Sequence, residues 1–243
     1  MRAQVEEAGA KGVVVGLSGG VDSAVVARVA QMAMGDAVLA VIMPAHSDPQ
    51  DEQDARLAAE RFKLPVVAVD LSATYDTLVS TVDQALENRA GNGGSAAPVP
   101  RLAQANIKPR LRMATLYAIA NRYNYIVAGT GNRSELAIGY FTKYGDGGVD
   151  VLPLGALVKS DVWTLARDLG VPKGIIDKAP SAGLWSGQTD EGEMGFSYGD
   201  LERYLHDGPA SVDPVVAEKI GRLSRTSEHK RQLAPVFEPE QTA

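Results

Sequence analysis

The stretch VVVGLSGGVDSAVVARVA, residues 13 to 30, constrains the fold more than any other part of the chain. Three consecutive valines have no polar alternation, so the segment is a strand buried on both faces. It runs straight into a turn of glycines and hydroxyls, and then into a helix, read as Asp22 to Met34, that is apolar on most sides and closed by Gly35 and Asp36. A strand of this kind belongs in a parallel sheet with helices on both faces. The same alternation continues with strands at Val38 to Met43, Val66 to Val69 and Tyr125 to Ala128, and helices at Asp51 to Phe62, Leu111 to Arg122, Asp161 to Leu169, Ser197 to Leu205 and Pro214 to Arg225. The expectation is one α/β domain over residues 1 to 243, a doubly wound parallel sheet. Residues 89 to 101, RAGNGGSAAPVPR, read as a mobile loop, and residues 226 to 243 as a polar tail.

Composition narrows the function. A net charge of −6 gives no basic surface for nucleic acid. With no cysteine, the chain has no disulfide, thiolate metal site or thiol nucleophile. The N-terminus lacks a signal-peptide core, and no run of about 18 apolar residues is present, so the expected address is the cytoplasm with no membrane contact.

Successive amides in a glycine-rich turn at a helix N-terminus cradle phosphate, and Ser18 and Ser23 add hydroxyls. There is no lysine to complete the ordinary NTPase loop and no G-x-G-x-x-G dinucleotide fingerprint. Asp22 is the informative residue, since a carboxylate repels phosphate unless a cation such as magnesium lies between them. A second loop, GTGNRSE, follows the fourth strand as GLSGGVDS follows the first, and ligands of open parallel sheets gather at such strand ends. His46 and His206 have no metal-ligand partners at useful spacing. Trp163 reads as core, whereas Trp185, among glycines and acids, suits either a lid over the site or packing on the sheet.

The pattern S-G-G-x-D-S resembles the signature of the ATP pyrophosphatase (PP-loop) superfamily. With GTGNRSELAIGYFTKYGDGGVDVLPLGALVKSDVWTLARDLGVP (129 to 172), KPRLRMATLY and SEHKRQ, the chain from about residue 12 to 236 resembles the NAD synthetases. The resemblance implies a Rossmann-like fold of the adenine nucleotide alpha hydrolase kind and a ligase that amidates deamido-NAD. The substrate carboxylate attacks the α-phosphate of ATP, pyrophosphate leaves, and ammonia then displaces AMP.

Residue by residue, it implies that Gly16, Leu17, Ser18, Gly19, Gly20, Val21, Asp22 and Ser23 hold ATP, with Thr130, Ser181 and Lys159. Asp22 and Lys159 are the catalytic pair, and Lys159 stands just ahead of a helix. Asp22 and Glu135 ligate magnesium. Arg110, Lys143, Asp150, His229 and Lys230 bind deamido-NAD, the cations facing its pyrophosphate and Asp150 a ribose. Ser181 stands where the family commonly has threonine. The resemblance further implies a homodimer with the dinucleotide site near the subunit boundary. Without a cysteine for glutamine hydrolysis, the nitrogen source is ammonia, free or delivered by a separate protein. Two other readings are another pyrophosphate-releasing ligase of the GMP synthetase type and a nucleotide-binding module without catalysis.

Overall fold

A computed structural model describes residues 1–90, 99–185 and 187–237. A short helix, α1 (Arg2–Glu7), leads into β1 (Gly12–Gly16), α2 (Val21–Met34), β2 (Val38–Ile42), α3 (Pro49–Phe62), β3 (Val66–Ala68) and α4 (Ser72–Ala90). Then come α5 (Arg101–Ala105), α6 (Ile107–Tyr123), β4 (Tyr125–Ala128), α7 (Arg133–Ile138) and α8 (Lys159–Asp168). The chain continues through α9 (Lys173–Ile176), α10 (Asp190–Met194), α11 (Tyr198–Asp207) and α12 (Pro214–Thr226), with a 3₁₀ turn at Glu228–Lys230.

All strand pairs are parallel, in the order β3-β2-β1-β4. Alternate β1 side chains feed two cores. Val13 and Val15 pack with Ala24, Ala27, Ala58 and Val162 from α2, α3 and α8, while Val14 packs with Leu116 and Ala120 of α6 and Val127 of β4. Gly12 is required by crowding, because a Cβ there would lie 2.3 Å from the Ala37 carbonyl oxygen. Chain order reverses between β1 and β4. The sheet therefore splays its loops there, and the crevice beyond the carboxyl ends of these two strands is where such folds bind ligands.

Three expectations are revised. The strand expected at Val66 to Val69 in a sheet covered on both faces is β3, an edge strand with Val66 and Val67 38% and 39% exposed. Of the loop expected at 89 to 101, the ends are helical, since Arg89 and Ala90 finish α4 and Arg101 opens α5; residues 91 to 98 lie outside those described. The tail read at 226 to 243 begins inside α12 and includes the 3₁₀ turn, while residues 238 to 243 lie outside those described. Helix α4 presents Leu78, Val82 and Leu86, spaced by four residues, at 40%, 45% and 49% exposure. That spacing puts them in one stripe along the helix. Among the described residues, no helix is long and apolar enough to cross a membrane.

Candidate active site

The loops after β1 and β4 meet in a cleft of about 1010 Å³. On the β1 side, Ser23 organises the turn. Its hydroxyl accepts from the Ser18 amide (3.1 Å), lies 3.1 Å from Ser18 Oγ and donates to the Gly20 carbonyl (2.9 Å). Ser18 Oγ in turn accepts from the Gly20 amide. Gly20, the N-cap of α2, supplies no side-chain cap, so the first amides of a fourteen-residue helix are left for an anion. Gly19 has φ +83°, and a Cβ there would lie 2.3 Å from the Asp51 carbonyl oxygen, so both backbone conformation and space demand glycine. It packs on α3 and does not line the cleft, unlike the seven other residues expected from Gly16 to Ser23.

On the β4 side, Asn132 caps α7 and is fully buried. Its Oδ1 accepts from the Glu135 amide (3.1 Å), its own amide donates to Glu135 Oε2 (3.2 Å), and its Nδ2 donates to Asp22 Oδ1 (2.9 Å). One side chain thus joins the two loops across the reversal point. Between the carboxylates lies Lys159, whose Nζ is 2.6 Å from Asp22 Oδ2 and 3.4 Å from Glu135 Oε1. Lys159 is the first residue of α8, not a residue ahead of it, and its side chain is 2% exposed.

Burial alone would lower the Lys159 pKa, but the charges of Asp22 and Glu135 outweigh it and hold the group above the ordinary lysine value. Glu135 moves up to about 8, through burial and then repulsion from Asp22, against the pull of Lys159. Two acids this close need a cation between them. The donor set, two carboxylates converging on one cation position, suits a hard divalent ion completed by phosphate oxygens.

The sequence profile of the NAD synthase family matches residues 1–234. The chain belongs to the NAD synthase family. The NH(3)-dependent NAD(+) synthetase of Carboxydothermus hydrogenoformans is 52% identical over 97% of this chain and 93% of its own length. Among solved structures, the NMN synthetase of Francisella tularensis superposes with a TM-score of 0.88 at 38% identity, covering 98% of this chain and 93% of that one. The NH3-dependent NAD synthetase of Campylobacter jejuni, in complex with the nitrate ion, gives a TM-score of 0.78 at 25% identity, covering 98% and 94%.

The remaining residues singled out in this NAD synthase chain divide into two groups. Thr130, Ser181, Arg110, Lys143, His229 and Lys230 all line the cleft. Several are already engaged: Lys143 Nζ donates to the His229 carbonyl, Lys230 Nζ donates to the Gly139 and Phe141 carbonyls at 2.8 Å, and Ser181 Oγ accepts from the Gly183 amide. Asp150 is not brought into the cleft. It accepts from the Val127 amide and the Tyr117 hydroxyl and lies beside Gln4 and Glu7, because residues 150 and 151 pair with the end of β4, Val151 bridging Ala128 in parallel.

The sequence reading missed Asn132, Asp190, Tyr198 and Lys178. Tyr198, fully buried, donates to Asp190 Oδ2 (2.8 Å) and Glu135 Oε1 (3.4 Å), and presents its ring 5.0 Å from Lys159 Nζ. Lys178 clamps Asp51 and Asp54 of α3 at 2.8 and 2.6 Å. Tyr198 entered the sequence reading only as part of the helix expected at Ser197 to Leu205, which a capping box at Ser197 and Asp200 opens. Trp163 packs between two cores, as expected. His206 is exposed beside Asp207, and His46, paired with Asp76, lines the cleft.

Asn132→Ala removes two side-chain hydrogen bonds at a buried position and leaves the Glu135 amide without a partner. It should cost about 2 kcal/mol, read as a lower urea midpoint with unchanged slope. An unchanged midpoint would mean that the two loops are held together by other contacts.

Proposed function

We propose that this NAD synthase chain is a ligase that forms NAD from deamido-NAD, ATP and ammonia, through an adenylated carboxylate. What carries the reading is the pairing of an anion cradle at the N-terminus of α2 with two carboxylates that share one cation. Its relationship to NH(3)-dependent NAD(+) synthetases at up to 52% identity supports the same reaction.

The nicotinate carboxylate oxygen attacks the α-phosphorus, and the bond from that phosphorus to the bridging oxygen breaks as pyrophosphate leaves. The amides at the start of α2, with the Ser18 hydroxyl, receive the departing phosphates. Lys159 contributes a point charge to them. Ammonia then attacks the acyl carbon, AMP departs with the oxygen that came from the carboxylate, and the nitrogen sheds a proton to become the amide. Asp22 and Glu135 would hold a magnesium ion against the phosphates, where it neutralises charge. Thr130 and Ser181 are assigned to ATP, and Arg110, Lys143, His229 and Lys230 to the acceptor. No protein nucleophile is required, since positioning and charge neutralisation supply the catalysis.

A homodimer belongs to the same proposal. The apolar stripe of Leu78, Val82 and Leu86 on α4 supports it, as a surface whose burial would be favourable. Asp150, away from its own chain's cleft, is assigned to a ribose only within such a dimer. Residence in the cytoplasm is also part of this reading.

One observation favours a second acceptor: the similarity to the Francisella tularensis NMN synthetase at a TM-score of 0.88. Nicotinic acid mononucleotide carries the same carboxylate without the adenylyl half. Pyrophosphate release from Mg-ATP and ammonium should be compared with each acceptor. The proposal expects kcat/KM for deamido-NAD to exceed that for the mononucleotide by about tenfold or more, the scale of one additional well-formed polar contact. The reverse ranking would assign the chain to the mononucleotide. Release with neither would refute amidation of a nicotinate.

For the assembly, the double variant Val82→Glu with Leu86→Glu should sediment as a monomer where the unaltered chain sediments as a dimer. Unchanged sedimentation would remove α4 from the interface.

A further inference from the structure

We propose that Lys159 is an internal cation holding the metal position of the nucleotide-free protein, so that a divalent ion enters only together with ATP. The inference rests on the assignment of Asp22 and Glu135 to magnesium and goes beyond it, making the site conditional on nucleotide.

Three observations carry it. First, the oxygens available to a metal are the ones Lys159 already holds. Asp22 Oδ1 accepts from Asn132 Nδ2 and Glu135 Oε2 from the Asn132 amide, which leaves Asp22 Oδ2 and Glu135 Oε1; these are the partners of Nζ at 2.6 and 3.4 Å, with the Tyr198 hydroxyl also 3.4 Å from Glu135 Oε1. Second, the protein alone is a poor metal host. Among the described residues, no group of three or more His, Cys, Asp or Glu side chains could hold a metal ion. Two carboxylates are too few for an octahedral cation, and the remaining oxygens must come from phosphate and water.

Third, Lys159 has alternative partners. Asp190 is 4% exposed, its Oδ1 is buried without a hydrogen-bond partner, and its charge also acts on Lys159. The phosphates delivered to the α2 N-terminus offer further oxygens. A metal arriving alone would have to expel a buried ammonium from two carboxylates and would find no replacement ligands. Arriving with ATP, it brings those ligands and gives the ammonium anionic partners of its own. The charge on the carboxylates is compensated in both states, by Lys159 in one and by the metal in the other. The cluster is therefore never left as uncompensated buried acid.

The direct test is Mn²⁺ binding, followed through the electron paramagnetic resonance of the free ion, with and without α,β-methylene-ATP, which cannot be cleaved at the relevant bond. In the unaltered protein the analogue should tighten Mn²⁺ binding by about tenfold or more, within the ordinary range for coupled sites. Without nucleotide, Lys159→Met should bind Mn²⁺ about tenfold more tightly than the unaltered protein. Lys159→Gln keeps a donor beside the carboxylates without the charge and should show the same gain, which covers the case in which the methionine variant does not fold. Lys159→Arg keeps the charge and should stay weak.

Nucleotide-independent Mn²⁺ affinity in the unaltered protein, or no gain in the neutral variants, would overturn the proposal. Asp22→Asn separates the two levels of the claim. If it leaves Mn²⁺ binding with the analogue intact, the metal assignment itself fails. If it abolishes that binding while the neutral Lys159 variants show no gain, only the gating fails. Neither titration contains a nicotinate, so the outcome is independent of which acceptor the enzyme uses.

Discussion

The buried contact of Lys159 with Asp22 and Glu135 is the constraint on which the rest of the site depends. It joins the first turn of α2 to the first turn of α7 and the first residue of α8, both more than a hundred positions further along the chain. Removing one partner of such a buried pair costs about 3–5 kcal/mol, because the other charge is left without compensation. The same three helix starts surround the point where strand order reverses. The site is therefore where packing of the sheet and chemistry of the ligand meet, with Asn132 bridging the two loops as a neutral partner to both acids.

The charge balance explains how an acidic protein handles anionic substrates. The chain carries a net charge of −6, so long-range attraction does not bring ATP or a dinucleotide to it. The favourable field is local. It comes from the amides at the start of α2, from Lys159, and from the cations Arg110, Lys143 and Lys230 along the cleft. Two of those cations are held by main-chain carbonyls, so their positions are fixed before any ligand arrives. Under the proposed function, such preorganisation would place charge against the phosphates without reorganisation during the reaction.

Much of this was legible in the chain. The strand and turn around Gly16 to Ser23 could be read because an unbroken apolar run and a glycine turn each have few structural uses, and β4 was located to the residue. Other parts could not be read from local pattern. Helix α4 has only weak apolar periodicity and leaves Leu78, Val82 and Leu86 partly exposed, and the valines of β3 read like those of the inner strands although they lie on an exposed edge. Tyr198 and Asp190 carry no local motif for a cation site. Their meaning comes from contact with Glu135, 63 positions from Tyr198, which no periodicity reveals. Asp150 was expected at a ribose from its motif position alone; within one chain its carboxylate lies outside the cleft and accepts from the Val127 amide.

The central claim is that the nicotinate carboxylate becomes an acyl adenylate before nitrogen attacks. The most direct measurement uses deamido-NAD labelled with ¹⁸O in that carboxylate, with mass spectrometry of AMP and pyrophosphate after turnover with ATP and ammonium. Adenylation at the α-phosphorus predicts one labelled oxygen in AMP and none in pyrophosphate. Unlabelled AMP accompanying NAD formation would contradict the account.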